Sequence, residues 1–400
     1  MKTKNLFKIM TIGAAIFSLL SLESRSFAAG TCAFSMGANF DGIDTTQETL
    51  NAASYYGQMG YHSFYSTQPT FDILNGNFSN GTRRVESDIL FISGHGRDDG
   101  KRIRVLQTGV VTGSTANGFV GVNNVNWNTT KLVVYAGCLT AKDGENNHIT
   151  VETYRKGADT TLGWHQSIGA TSHTKWLNRF NSKIASGGSF SGAFNYASSF
   201  NDYNDNRVKD LGVYGDWNYV YKLNRNNEIV GNHNTIAVTT NVEFTTANQN
   251  IEGIIKLIKA NNPTFNPDNY EVQIFKLNED DNFFNIDFIR KINGFTTNSG
   301  YNIAVNNGKV AYITNNDKEI VEKRSAMTKL NSEDEQTHIN RARNQALEKV
   351  QNTDMGQVTI KEQSASYYYD CIKDKKYYQV FSTLVNDEGD VTVEEYLKEI

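Results

Sequence analysis

The chain has 400 residues, with 39 Lys and Arg against 43 Asp and Glu, a formal net charge of −4 spread without basic clusters. That balance excludes a nucleic-acid surface or an anionic membrane as the expected partner. Three cysteines are too few for a disulfide scaffold, and the length points to two or three domains rather than one core.

Lys2, Lys4 and Lys8 precede an apolar run from Ile9 to Leu20, and then comes Ser26-Phe27-Ala28-Ala29. This order predicts a secretory signal peptide over 1–28, cleaved after Ala28. The run is too short to span a membrane comfortably. Extracellular protein or peptide is then the natural substrate pool.

From Gly30 to about Trp217, short apolar strands alternate with helical stretches, which predicts an α/β layer with a largely parallel sheet. Strands are expected at 32–39, 62–67, 88–93, 131–136 and 160–164. Helices are expected at 46–59, 149–156, 173–185 and 191–199. Lys101 to Val120 reads as a hairpin, with alternating Ile103, Val105, Val110 and Phe119.

Beyond Asn224 the texture becomes Asn-rich and strand-rich, and the remainder reads as an imperfect duplication. The first copy, 225–320, would hold a helix at 251–260 and strands at 270–277, 284–292 and 301–313. The second, 321–400, would hold a helix at 333–350 and strands at 357–360, 366–372 and 377–385. Each ends in a hairpin, at Asn306 to Gly308 and at Asp387 to Gly389.

Two passages carry the chemistry. In Asp88-Ile-Leu-Phe-Ile-Ser-Gly-His95-Gly96 a buried-type strand runs into a glycine-flanked histidine, and in Leu132-Val-Val-Tyr-Ala-Gly-Cys138 a similar strand runs into a cysteine. Reactive groups of an open parallel sheet collect at the carboxyl ends of its strands. A thiol is weakly nucleophilic until it loses its proton, and an imidazole beside it promotes that loss or protonates the leaving amine. Glycines 94, 96 and 137 leave room for a scissile carbonyl, with the backbone amides of Gly96 and Cys138 as oxyanion donors, each worth roughly 3 to 4 kcal/mol.

A strand ending in Ser-Gly-His-Gly, followed by a strand ending in Ala-Gly-Cys, resembles the dyad of the cysteine peptidases that include caspases, legumains, clostripain and gingipains. The resemblance covers about Gly30 to Trp217, roughly half the chain, within an expected peptidase domain of 29–224. It implies a caspase-like fold, a mostly parallel sheet flanked by helices, followed here by a smaller α+β region, and catalysis by His95 and Cys138. Tyr135-Ala136-Gly137-Cys138-Leu139 lacks the Gln-Ala-Cys of true caspases, so cleavage after Asp is not implied. In that family a later strand walls the pocket for the residue before the cut. Here the match ends in Leu162-Gly163-Trp164-His165, so Trp164 is a candidate substrate-binding residue, with a core tryptophan as its alternative. The C-terminal units resemble PepSY-type modules in element order and in the apolar-Gly-apolar hairpins at 305–310 and 385–391, with a generic α+β binding domain as the other reading.

Asp98, Asp99, Asp143 and Glu145 lie near the dyad in sequence, where they would select a basic residue, bind calcium or stand as solvated loop charges. No other cofactor is implied. His148, His165 and His173 match no ligand spacing, so no metal is expected, and Gly188-Ser-Phe-Ser-Gly192 centres on Phe190 and is no serine-hydrolase elbow. The expected function is a secreted cysteine endopeptidase, kept latent by its C-terminal region. The alternative is a non-catalytic binding or adhesion protein on the same scaffold.

Overall fold

The structure is a computed structural model that describes residues 32–78, 81–105, 108–111, 119–222, 235–236, 247–276, 283–306, 309–317, 329–351, 357–371 and 373–400. The expected signal peptide, the turn at 306–308 in part, and the joins near 224 and 320 lie outside those residues.

The first half runs β1 (Cys32–Met36), β2 (Asn39–Phe40), β3 (Ile43–Asp44), α1 (Thr46–Gln58), β4 (His62–Ser66), α2 (Phe71–Asn75), β5 (Ile89–Ser93), β6 (His95–Arg97), β7 (Arg102–Val105), β8 (Thr108–Val111), β9 (Phe119–Gly121), β10 (Leu132–Ala136), α3 (Ile149–Arg155), β11 (Thr160–Trp164), α4 (Ala170–Ala185), α5 (Phe190–Ser198) and β12 (Leu211–Gly215). The second half runs β13 (Thr235–Ile236), α6 (Ala247–Asn261), β14 (Tyr270–Lys276), β15 (Phe283–Ile292), β16 (Phe295–Asn306), β17 (Lys309–Asn315), α7 (Ser332–Gln351), β18 (Val358–Asp370), β19 (Lys375–Asn386) and β20 (Asp390–Glu399). No described helix is long and apolar enough to cross a membrane.

A six-stranded sheet in the order β12-β11-β10-β5-β1-β4 forms the centre of the first half, parallel except for β12. Its central strands β1, β5 and β10 are buried along their whole length because both faces are covered. Ile89 and Phe91 of β5, with Leu132 and Val134 of β10, pack under α1, α4 and α5 through Tyr56, Trp176, Phe180 and Phe194. Leu90, Ile92, Val133 and Tyr135 point the other way, against Leu74, Trp127 and Ile149. The sequence pattern thus yields a mixed α/β layer with a mostly parallel sheet, as expected. The antiparallel edge strand β12 is the strand of this sheet that the reading missed, along with the short β2–β3 hairpin and α2 beside it.

The second sheet differs from the two separate modules that the sequence suggests. It follows β13-β17-β16-β18-β19-β20-β6-β7-β8-β9, with β14 and β15 attached beside β16, so the strands of both C-terminal units join the histidine's own strand. Two expected strands, 357–360 and 366–372, are one strand, β18, with a bulge near Ile360. The polar run Lys361 to Ala365 reads as a break, but the ladder to β19 carries the strand through it.

Residues of β19 alternate between two cores. Tyr378 and Val380 pack with Ala342 of α7, whereas Phe381, with Val391 and Val393 of β20, joins the core of the first half. A second tie is the ion pair of Lys209 with Asp287 of β15, 2.6 Å apart and both fully buried. Asn201 accepts from Lys209 and Asn302 donates to Asp287, so the pair is hydrogen-bonded on both sides.

Candidate active site

Strands β5 and β10 are parallel neighbours, with Ser93 opposite Ala136. His95 and Cys138 each follow two residues beyond that pair, so the register sets them at the same height at the carboxyl edge of the sheet. Glycine makes the approach feasible. A Cβ on Gly96 would lie 1.5 Å from the carbonyl oxygen of Cys138, and one on Gly94 would lie 2.1 Å from that of Arg104. A side chain at Gly96 forces the histidine and cysteine turns apart, and one at Gly94 pushes β7 away.

The turn beyond Cys138 is strained. Leu139 has φ 60°, uncommon for a residue with a branched side chain. It is pinned by its own amide on Gln166 O at 3.2 Å and by Thr140, whose hydroxyl donates to Tyr135 O and Gly137 O, each at 3.0 Å. Such over-determination holds the cysteine at the tip.

Cys138 is 8% exposed. The amide of Ile168 donates to its Sγ at 3.5 Å, and the Ile168 carbonyl lies 3.8 Å away. Burial pushes the thiol up to about 11, outweighing the Ile168 contact and the Arg207 charge that favour the thiolate. In this arrangement it is a neutral thiol.

His95 is 2% exposed, and each ring nitrogen lies within hydrogen-bond distance of a backbone carbonyl, of which a singly protonated ring donates to one. Nε2 meets Asp41 O at 3.0 Å and Nδ1 meets Val391 O at 3.1 Å. Asp41 and Gly42 form the two-residue turn between β2 and β3, both with positive φ (48° and 85°), the geometry Asp-Gly favours. The histidine is thus oriented from its own half by that turn and engaged from the other by β20.

Val391 to Val393 lie across a narrow cleft that also contains His95, Cys138, Gly94, Gly137, Thr45, Glu48, Ile168, Ala170 and His173, with a void of about 40 Å³ left between them. Glu48 is buried there against His173 at 3.5 Å and accepts from Ser93 Oγ at 2.6 Å and from Thr174 Oγ1. Burial alone would raise its carboxyl, but His173 and these donors hold it below the usual range. Asp205 accepts from the amide of Gly169 at 2.8 Å and pairs with Arg207 at 2.9 Å, fixing the loop beside Cys138.

Trp164 is fully buried beneath the cleft, donating to Val208 O at 2.9 Å and packed edge-on to His173, and it does not line the cleft. Gly96 is a strand residue opposite Ile103 and Val391. Asp98, Asp99, Asp143 and Glu145 sit in loops outside the cleft: Asp99 pairs with Arg97 at 3.3 Å and Asp143 lies 3.6 Å from His165. His148 caps α3 and contacts Tyr214, and burial drives its ring down to about 3. His165 is bound to Asp210 at 2.9 Å. Cys32 and Cys371 lie in or beside different sheets, and no disulfide joins them.

Asp41, Glu48, His173 and Asp205 were missed as site residues from the sequence. Asp41-Gly42 carried a signal, an Asp-Gly turn just after the first strand. The others have none, because each becomes a neighbour of the dyad only through tertiary packing. No protein-family model matches the chain, and comparison with curated proteins finds no match.

Proposed function

We propose that the chain is a secreted cysteine endopeptidase with a caspase-like catalytic layer, and that its C-terminal region holds it latent. One observation carries this conclusion: Cys138 and His95 end register-matched parallel strands and line a cleft covered by an extended strand of the same chain, whose Val391 carbonyl sits on the histidine ring.

With β20 displaced, water reaches the thiol and the burial that keeps it protonated is relieved. The Cys138 sulfur, as thiolate, then bonds to the scissile carbonyl carbon while the amides of Gly96 and Cys138 donate to the oxyanion. His95 gives a proton to the amine as the C–N bond breaks. Water attacks the thioester, the carboxylate product leaves, and the thiol is restored.

The test is digestion of a mixed peptide library by the mature full-length chain, before and after mild urea, beside Cys138→Ala. Cleavage that rises with urea and is absent from the variant is the expected result. A non-catalytic binding protein has one observation in its favour, the burial of the Cys138 thiol under β20. It requires Cys138 to stay at background in iodoacetamide labelling however far β20 is loosened, and that outcome would sink the peptidase.

A further inference from the structure

Immediately before Val391 stands Asp390, 1% exposed, the most deeply buried carboxylate of β20. Its Oδ1 lies 2.8 Å from Arg102 Nη2 and its Oδ2 2.7 Å from Arg104 Nη1. Asn386 donates to Oδ2 at 3.3 Å and accepts from the Asp390 amide at 2.8 Å. Glu388 reaches Arg104 at 2.6 Å from the solvent side. Burial would raise the Asp390 carboxyl, but the two guanidinium groups hold it below the ordinary range.

The arginines belong to the other half of the molecule. They stand on β7, paired directly with the histidine's strand, with His95 opposite Arg104. Arg104 lies over the ring of Phe40 at 5.2 Å, and that ring meets the His95 imidazole edge-on at 6.4 Å. The pair is therefore held beside the cleft, one strand over from His95, by β7, with Phe40 under Arg104. Asp390 and Glu388, by contrast, both sit on the β19–β20 hairpin and leave whenever it leaves.

The strand that carries Asp390 binds as an extended peptide would. It pairs antiparallel to β6, Asp390 opposite Arg97 and Val391 opposite Gly96, and presents the next carbonyl to His95. Resting on the peptidase reading above, we infer that Arg102 and Arg104 form a subsite for an acidic side chain of the substrate. Asp390 fills it in the covered state. A substrate lying as β20 does carries Asp or Glu at the second position before the cut, one residue ahead of the carbonyl that meets His95. Two guanidinium groups in a walled position suit a carboxylate over a neutral isostere, because only the carboxylate satisfies both.

The experiment uses the full-length mature chain carrying Asp390→Ala, which loosens the cover and leaves both arginines in place, with Asp390→Asn as a second, closer-shaped variant should the first fail to fold. Each is given a randomised peptide library, with Cys138 alkylation by iodoacetamide measured in parallel. The expected result is increased alkylation and cut sites enriched at least about tenfold for Asp or Glu over Asn or Gln at the second position. Adding Arg102→Gln and Arg104→Gln should bring that ratio in kcat/KM close to one. Increased alkylation and cleavage without acidic enrichment overturns the subsite and leaves the peptidase standing. Alkylation and cleavage both at background in both variants overturns the peptidase itself, and the subsite with it.

Discussion

The two sheets bury their apolar faces in different ways. The six-stranded sheet, parallel but for β12, takes most of its cover from its own half of the chain, α1, α4 and α5 on one face and α2, α3 and the β7–β9 region on the other. The long sheet is covered by α7 on one face of β19, but Phe381, Val391 and Val393 on the opposite face pack into the core of the first half. The first is largely covered by its own elements, whereas the second completes its core by docking. A strand that must dock to be buried is well suited to be a cover, because whatever weakens the docking uncovers the cleft.

The Lys209–Asp287 pair offers the sharpest way to break that difference. Lys209→Ala leaves Asp287 as an uncompensated charge in a fully buried site, a loss of about 3–5 kcal/mol. The expected outcome is an early transition in urea, read by Cys138 alkylation, that precedes loss of the Trp176 fluorescence signal; coincident transitions would mean that the two halves unfold as one unit. Replacing both partners, Lys209→Met with Asp287→Leu, should restore most of the loss.

Phe381→Ala comes next. It removes a ring from the docking face alone, costing about 3 kcal/mol, and should speed Cys138 alkylation while leaving the α7 side intact by hydrogen exchange. Equal loss of protection on both faces of β19 would show that the faces are not independent.

The smallest expected effect is with pH. Glu395, opposite Phe381 in the ladder, is pushed up to about 7 by burial and by the nearby Asp205. A carboxyl raised on folding contributes stability that is fully present below its unfolded value and lost as pH rises through about 7. Asp390 has the opposite sign: held below the ordinary range, it contributes above that range and is lost as pH falls through its folded value. Docking should therefore be tightest in mildly acidic solution. Alkylation of Cys138, corrected for thiolate fraction, should rise between pH 4.5 and about 7 and level off above, and Glu395→Gln should flatten the rise; an unchanged slope in that variant would remove Glu395 from the account.

Much of the parallel layer was legible because its information is local. An apolar strand that ends in Gly-His or Gly-Cys announces its own position, and the two strands needed only to be neighbours for His95 and Cys138 to line one cleft. Glu48 and Asp205 were not legible, since a carboxylate in a helix or a loop carries no sign of which sheet edge it faces. Asp390 was least legible of all, because its partners Arg102 and Arg104 are nearly three hundred residues away in sequence. The two-sided burial of β19 is visible as Val380-Phe381 and Leu384-Val385, but consecutive apolar residues do not say what lies on the second face. Trp164 illustrates the converse limit: large aromatic residues at strand ends serve cores as readily as pockets.

The pairing of β20 with β6 also sets a sequence of events in time. Every described strand of the parallel layer is complete by Gly215, and the strand that covers its cleft begins at Asp390. At chain emergence of about 5–20 residues per second, the parallel layer precedes its cover by about 9 to 35 seconds. Closing so distant a pair is also among the slower steps available to a chain. A layer that folds as soon as it can will therefore stand open before it is closed, and in that interval the edge that carries His95 and Cys138 is without its cover.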